Sequence, residues 1–409
     1  MIRVPMKRTV LENVGPDQWD LGAEYGQTYL GSTSKSHTSH PTTGSLYTVE
    51  IGLGSPPQLF TVQVSTGTSN FWVPSSLCTA SATCARHPRF DASRSRSFKP
   101  STNKNNGTTR HFQIQSFQRQ YSGYPKEGEE ESFPIDLVGT VGRDQLTIAG
   151  GWIVLNSEQH FGQVVQDRGG CLDTMLRGDR LDGVLGLGFD GAAETGRPFF
   201  LDLVEQGMLE QAVFGVYLSR SNKLDQGDEN QLTLGGLDPT HYSSDIQWHE
   251  LSRKDHGQWS IELTAFALRR EAFEIDGAAV IDSGFPYIAL TRYQAESVNA
   301  QIGGIETEKG SGVYEVLCEN IPDLFEFIIL FGQEEYQLEG HDYVLSETST
   351  RRRKRAGRKE KRWCQSAIVG VDFSEESGVI AVFGEVFLRK YYSAYDLENH
   401  RLGFALAKK

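Results

Sequence analysis

Two segments of this chain end an apolar run on a side chain that can do chemistry. In Gln63-Val64-Ser65-Thr66-Gly67 the run ends on a hydroxyl, and in Val280-Ile281-Asp282-Ser283-Gly284 it ends on a carboxyl. Both follow one design: an apolar strand, a small or acidic residue, Thr or Ser, then Gly. A second apolar-Gly element lies downstream of each, Val184-Leu185-Gly186 and Val382-Phe383-Gly384. The two turns lie about half the chain apart, as expected for one supersecondary unit used twice about a pseudo-twofold axis. A positioned carboxyl is a candidate general acid or base. Alone, Asp282 also reads as the turn aspartate of an ordinary hairpin. Ser65 as a nucleophile lacks support, because no G-x-S-x-G elbow surrounds it and no motif brings it a His.

The elements that must carry these turns are mostly strands. Phe60, Val62 and Val64 recur at period 2 ahead of Ser65, and Ser45–Gly54 alternates in the same way before two glycines. Further short strand-like runs lie at 112–115, 145–150, 215–219, 231–236, 278–282, 378–384 and 401–406. Helical spacing is confined to 197–211, with Pro198 near its start, and 291–302. Many strands, few helices and a body of some 350 residues predict a mostly-β protein of two lobes. Gly186-Leu187-Gly188-Phe189-Asp190-Gly191 fits G-x-G-x-x-G, but the chain lacks the βαβ alternation that a dinucleotide fold requires.

Composition narrows the classes. The 409 residues hold 43 Gly and 14 Pro, well under the roughly 25–30% of low-complexity chains. The net charge of −13 argues against nucleic acid as the main partner. Residues 351–362, RRRKRAGRKEKR, break that pattern with nine of the 40 basic residues and one acid. This tract and the charged segment 121–134 read as inserted, solvated loops. No apolar run is long enough to span a membrane, and no apolar leader is visible at the N-terminus. Five cysteines are too few for a disulfide scaffold, and none has zinc-site spacing. Cys78 and Cys84 are close enough in sequence to close a small loop. Pairing Cys318 with Cys364 leaves Cys171 over.

The motifs then converge. IGLGSPPQLFTVQVSTGTSNFWVPSSLC, LDGVLGLGF, FFLDLVEQGMLE, LTLGGLDPTHYSSDIQW, AAVIDSG and VFGEVFLRKYYSAYDLENHRLGFALA occur in that order. Together they resemble the landmarks of pepsin-like aspartic proteases, nearest in flavour to the cathepsin D and vacuolar proteinase A group, over residues 44–409. The resemblance implies a mostly-β, bilobal fold with a peptide-sized cleft. Its lobes are expected at 44–236 and 237–409, after an extension at 1–43. That extension is either a pro-segment, as Ile2–Arg8 suggests, or a disordered tail. Endopeptidase action at acid pH on extended, largely apolar peptides would follow, with water as nucleophile, no metal and no cofactor. A monomer that is secreted, vacuolar or lysosomal is also implied.

In that family two Asp carboxylates about 3 Å apart share one proton, since both cannot ionise together. One activates water while the other protonates the scissile carbonyl. The resemblance places Asp282 at one catalytic position and Ser65 at the other. Thr66, Gly67, Thr68, Ser283 and Gly284 support the turns, and Trp72 packs behind the flap. The positions three after Ser65 and Asp282 are Thr68 and Phe285, so Asp282 is expected to lack a hydroxyl partner and to face an aromatic ring. The flap's usual Tyr has no clean counterpart; Tyr121, Tyr124 and Phe133 are its candidates. Three functions stay open. These are an impaired or inactive homologue that still binds peptides, an unorthodox protease using Asp282 with Ser65, and an interaction protein holding polyanions through Arg351–Arg362.

Overall fold

The structure, a computed structural model, describes residues 1–14, 42–79, 82–103, 107–115, 136–148, 153–168, 172, 176, 181–189, 193–220, 230–252, 258–269, 271–352, 361–373 and 377–408. Among these, strands form a 14-stranded, a 7-stranded and a 4-stranded sheet. The large sheet runs from the strands near the C-terminus, through Val213–Tyr217 and Asn230–Leu234, to Ile2–Val14 and Thr42–Leu53. It continues through Gln58–Ser65, Gly183–Gly186 and Phe71–Pro74 into the long hairpin Asp136–Ile148/Ile153–Arg168. The 7-stranded sheet holds Glu271–Ile281, Val379–Phe383 and Ile288–Thr291 side by side. This is the bilobal, mostly-β architecture expected for pepsin-like aspartic proteases.

The internal repeat is geometric as well as textual. Gln58–Ser65 pairs in parallel with Gly183–Gly186, which pairs antiparallel with Phe71–Pro74. Likewise Glu271–Ile281 pairs in parallel with Val379–Phe383, which pairs antiparallel with Ile288–Thr291. In both units the later strand slots between the two that flank the turn. Gly186 N donates to Asn70 O at 3.0 Å, and Gly384 N donates to Tyr287 O at 2.9 Å. Asn70 and Tyr287 each lie five residues past the first residue of their turn. The close approach explains the glycines, because a Cβ on Gly186 would meet Asn70 O at 2.5 Å and one on Gly384 would run into Phe285 O.

Alternation buries Phe60, Val62 and Val64 on one face of Gln58–Ser65 and leaves Leu59 exposed on the other. The helix expected over 197–211 is shorter, Phe199–Glu205. Gly207 ends it in the left-handed region at φ 66°, and the Gly207 and Met208 amides fold back onto Val204 O and Leu203 O. The helix Arg292–Gln301 matches its expected span, closed at its start by a reciprocal Thr291/Gln294 capping box.

Two expectations need correcting. Residues 2–14 are not a disordered tail, because they form a strand inside the large sheet. Nor is the basic tract wholly a loop. Arg351 and Arg352 end the strand Val344–Arg352, Lys361 and Arg362 open Lys361–Ser366, and Arg351 stands opposite Arg362 in the ladder. Charge suggested solvation, but backbone pairing carries on past Thr350 and Trp363. The rest of that tract, 353–360, and the segment 121–134 with Tyr121, Tyr124 and Phe133 lie outside the described residues, as does Cys171. Both disulfides form, Cys78–Cys84 and Cys318–Cys364. No helix among the described residues is long and apolar enough to cross a membrane.

Candidate active site

Ser65 is the last residue of Gln58–Ser65, and Asp282 directly follows Glu271–Ile281. The two strands deliver them to one point, where Ser65 Oγ donates to Asp282 Oδ1 at 2.8 Å. Hydrogen bonds between the turns hold them there. Thr66 Oγ1 donates to Ile281 O at 2.8 Å and accepts from Ser283 N at 2.9 Å. Reciprocally, Ser283 Oγ donates to Val64 O and accepts from Thr66 N, both at 3.2 Å. Each hydroxyl satisfies backbone groups of the opposite turn, so neither buried hydroxyl is left without a partner.

The pair is not symmetric in its donors. Besides Ser65 Oγ, Asp282 Oδ1 accepts from Gly284 N at 2.7 Å and Gly67 N at 3.0 Å. Gly67 must be glycine, since a Cβ there would run into the Asp282 carboxyl. Thr68 Oγ1 accepts instead from Asn70 N at 3.2 Å. Phe285 offers no hydroxyl, and its ring stands edge-on to Tyr287 at 5.9 Å between centroids.

Ser65 and Asp282 are both buried. Burial raises the Asp282 pKa above its ordinary 3.8, and hydrogen bonds from Gly284, Ser65 and Gly67 offset part of that shift. The sign of the pH effect follows. A carboxyl whose folded pKa is raised contributes stability that is full below its unfolded pKa and is lost as pH rises through the folded value. Asp282→Asn keeps an oxygen for all three donors and cannot ionise. We expect wild type and Asp282→Asn to be about equally stable near pH 3. The variant should become the more stable as pH rises above the ordinary carboxyl range. Urea midpoints for both proteins at pH 3 and pH 7 check this, and a difference independent of pH would count against a raised pKa.

Beneath the turns lies an aromatic group that motif reading did not single out. Trp259 Nε1 donates to Leu187 O at 2.7 Å, and the Trp259 ring stands edge-on to Phe189, Phe214 and Tyr395. Phe214 and Tyr395 stack at 4.4 Å. The Tyr395 hydroxyl reaches to 3.5 Å from Thr66 Oγ1, and burial pushes its pKa up to about 12. Gln63 was also missed; its Nε2 donates to Gly284 O at 2.9 Å, tying the first strand to the second turn. A polar residue between the buried Val62 and Val64 was the available signal. Trp72 is buried in Phe71–Pro74, between Gly183–Gly186 and Ile153–Arg168.

Comparison with known proteins agrees with this geometry. The family description "Eukaryotic aspartyl protease" matches residues 46–127 and 131–407. The chain is 33% identical to vacuolar protease A of Aspergillus fumigatus over 88% of its own length and 79% of that protein. It is 32% identical to vacuolar protease A of Neurospora crassa over 94% of its length and 89% of that protein. It is 31% identical to renin of Canis lupus familiaris over 99% and 91% of the two chains. With two parallel turns locked together at the base of a two-lobed β fold, and matches of this extent, the chain belongs to the pepsin-like aspartic protease family.

Proposed function

We propose that this chain is a pepsin-like endopeptidase homologue that binds extended peptides in the cleft between its lobes and has lost most or all of its hydrolytic step. Ser65 stands where the reaction needs a second carboxylate. The observation that carries this reading is the 2.8 Å hydrogen bond from Ser65 Oγ to Asp282 Oδ1. A hydroxyl there imitates the protonated member of a carboxyl pair as a donor, but it does not ionise in the working range. The pair therefore has one titratable group and cannot exchange acid and base roles between its members. Peptide binding survives in this reading, because an extended strand is held largely through backbone hydrogen bonds. The lobes are taken as 44–236 and 237–409.

The test is cleavage of a denatured protein substrate from pH 3 to 7, with Asp282→Asn alongside. We expect little or no turnover by either protein, and measurable peptide binding by wild type. Robust wild-type cleavage that Asp282→Asn abolishes would falsify the impaired reading and establish a protease working from one carboxylate.

A further inference from the structure

The basic tract 351–362 takes no part in the two turns that hold Ser65 and Asp282. It carries nine of the 40 basic residues and one acid, in a chain whose net charge is still −13. Four of the nine have defined places in a sheet. Arg351 and Arg352 end Val344–Arg352, and Lys361 and Arg362 open Lys361–Ser366. Arg351 stands opposite Arg362, and Arg352 opposite Lys361.

The third strand of that sheet stops short of them. Tyr314–Leu317 pairs with Lys361–Ser366 as far as Leu317 opposite Trp363. Both cationic steps lie beyond that point, so among the described residues they form a two-stranded ribbon that overhangs the sheet. Its root is fixed. Cys364 follows Trp363 and is bonded to Cys318, which directly follows Leu317. The four cations therefore have set places on the body.

Opposed residues of an antiparallel ladder share a face, and successive ones alternate. Arg351 and Arg362 thus belong to one face of the ribbon, and Arg352 and Lys361 to the other. Like charges directly opposite each other are destabilising. Here two such steps follow in succession, held by backbone pairing above a disulfide. Arg362 is exposed and Lys361 half-buried. A polyanion laid on the ribbon offsets that repulsion and gives up its own condensed counterions.

We propose that the ribbon Arg351–Arg352/Lys361–Arg362 is a docking surface for a linear sulfated polysaccharide. Three observations select this class. A stiff duplex meets one face of a ribbon, whereas cations on both faces suit a flexible chain that bends round its end. Both disulfides belong to an oxidising compartment, where sulfated glycans and not nucleic acids are the abundant linear polyanions. The acidic balance of the whole chain disfavours polyanion contact elsewhere, which confines docking to the ribbon.

The test is retention of the purified full chain on immobilised heparin at pH 7. It is run beside a variant carrying Arg351→Gln, Arg352→Gln, Lys361→Gln and Arg362→Gln. We expect wild type to be held at about 0.15 M salt, where distant surface charges are largely screened. The variant should bind heparin at least about tenfold more weakly and show a shallower dependence on salt. Desulfated heparin should retain neither protein. Passage of wild type through the column, equal binding by the variant, or tighter binding of single- or double-stranded DNA than of heparin at equal salt overturns the proposal. If the fourfold variant does not fold, Arg362→Gln alone decides. It elutes at lower salt than wild type if the ribbon is the site, and together with wild type if it is not. Peptide cleavage does not enter this measurement, so its outcome is separate from that of the Ser65 reading.

Discussion

Ser65→Asp is expected to turn this chain into an acid protease, with kcat/KM rising by about 10²–10⁴ over wild type. That range corresponds to roughly 3–5 kcal/mol of transition-state stabilisation. The scaffold for the change is already in place. Thr66 and Ser283 lock the two turns, Gly67 N and Gly284 N aim at the carboxyl oxygen, and residue 65 is in hydrogen-bond contact with Asp282. A carboxyl at position 65 would face Asp282 across a short, buried gap, where two negative charges cannot coexist. The pair would hold one proton over the acid range, and activity should follow a bell-shaped pH profile belonging to the pair as a unit. Adding Asp282→Asn should return Ser65→Asp to background. Measurement requires kcat/KM from pH 3 to 7 for wild type, Ser65→Asp and the double variant. A Ser65→Asp protein that binds peptide as wild type does, yet cleaves no faster, would show that something other than the missing carboxylate limits the chemistry. Phe285 would then be the next residue to change, since the family resemblance implies a hydroxyl at that position.

Trp259→Ala should cost about 3–5 kcal/mol of folding stability, the range for emptying a large aromatic site in a packed core. Three edge-on ring contacts and the hydrogen bond to Leu187 O are lost together. The Leu187 carbonyl loses its indole donor, which adds to the cavity cost. The partners come from far apart in the chain, Phe189 and Phe214 on one side of Trp259 and Tyr395 on the other. The loss should therefore loosen the base beneath Thr66. Trp259→Phe, which keeps a ring and loses only the donor and part of the volume, should cost clearly less. Urea unfolding at pH 5 compares the three proteins. A Trp259→Ala penalty below about 1 kcal/mol would mean that the aromatic group is not a structural tie.

The duplicated turns were readable because their signals are local. An apolar strand ending on a small or acidic residue, then Thr or Ser, then Gly, is written within five residues. The glycines at 186 and 384 mark backbone approaches that admit no Cβ. Apolar spacing continues past Gly207 to residue 211, whereas the left-handed turn at that glycine ends the helix. In the basic tract, charge reports solvation and says nothing of a ladder that extends from the strands on either side.

From sequence alone came the two-lobed β class, the family, the order of the elements and the pair of duplicated turns that end on Ser65 and Asp282. These depend on residue types and short spacings, which a linear text preserves. Tertiary structure decided how the Asp282 carboxyl is held: three donors on one oxygen, an aromatic base under the turns, and an N-terminal strand joined to Glu385. Arg8 and Glu385 are 377 residues apart, and Ser65 and Asp282 are 217 apart. No local pattern encodes such contacts, because they arise only when separate strands pack around one core and their buried polar groups must find partners.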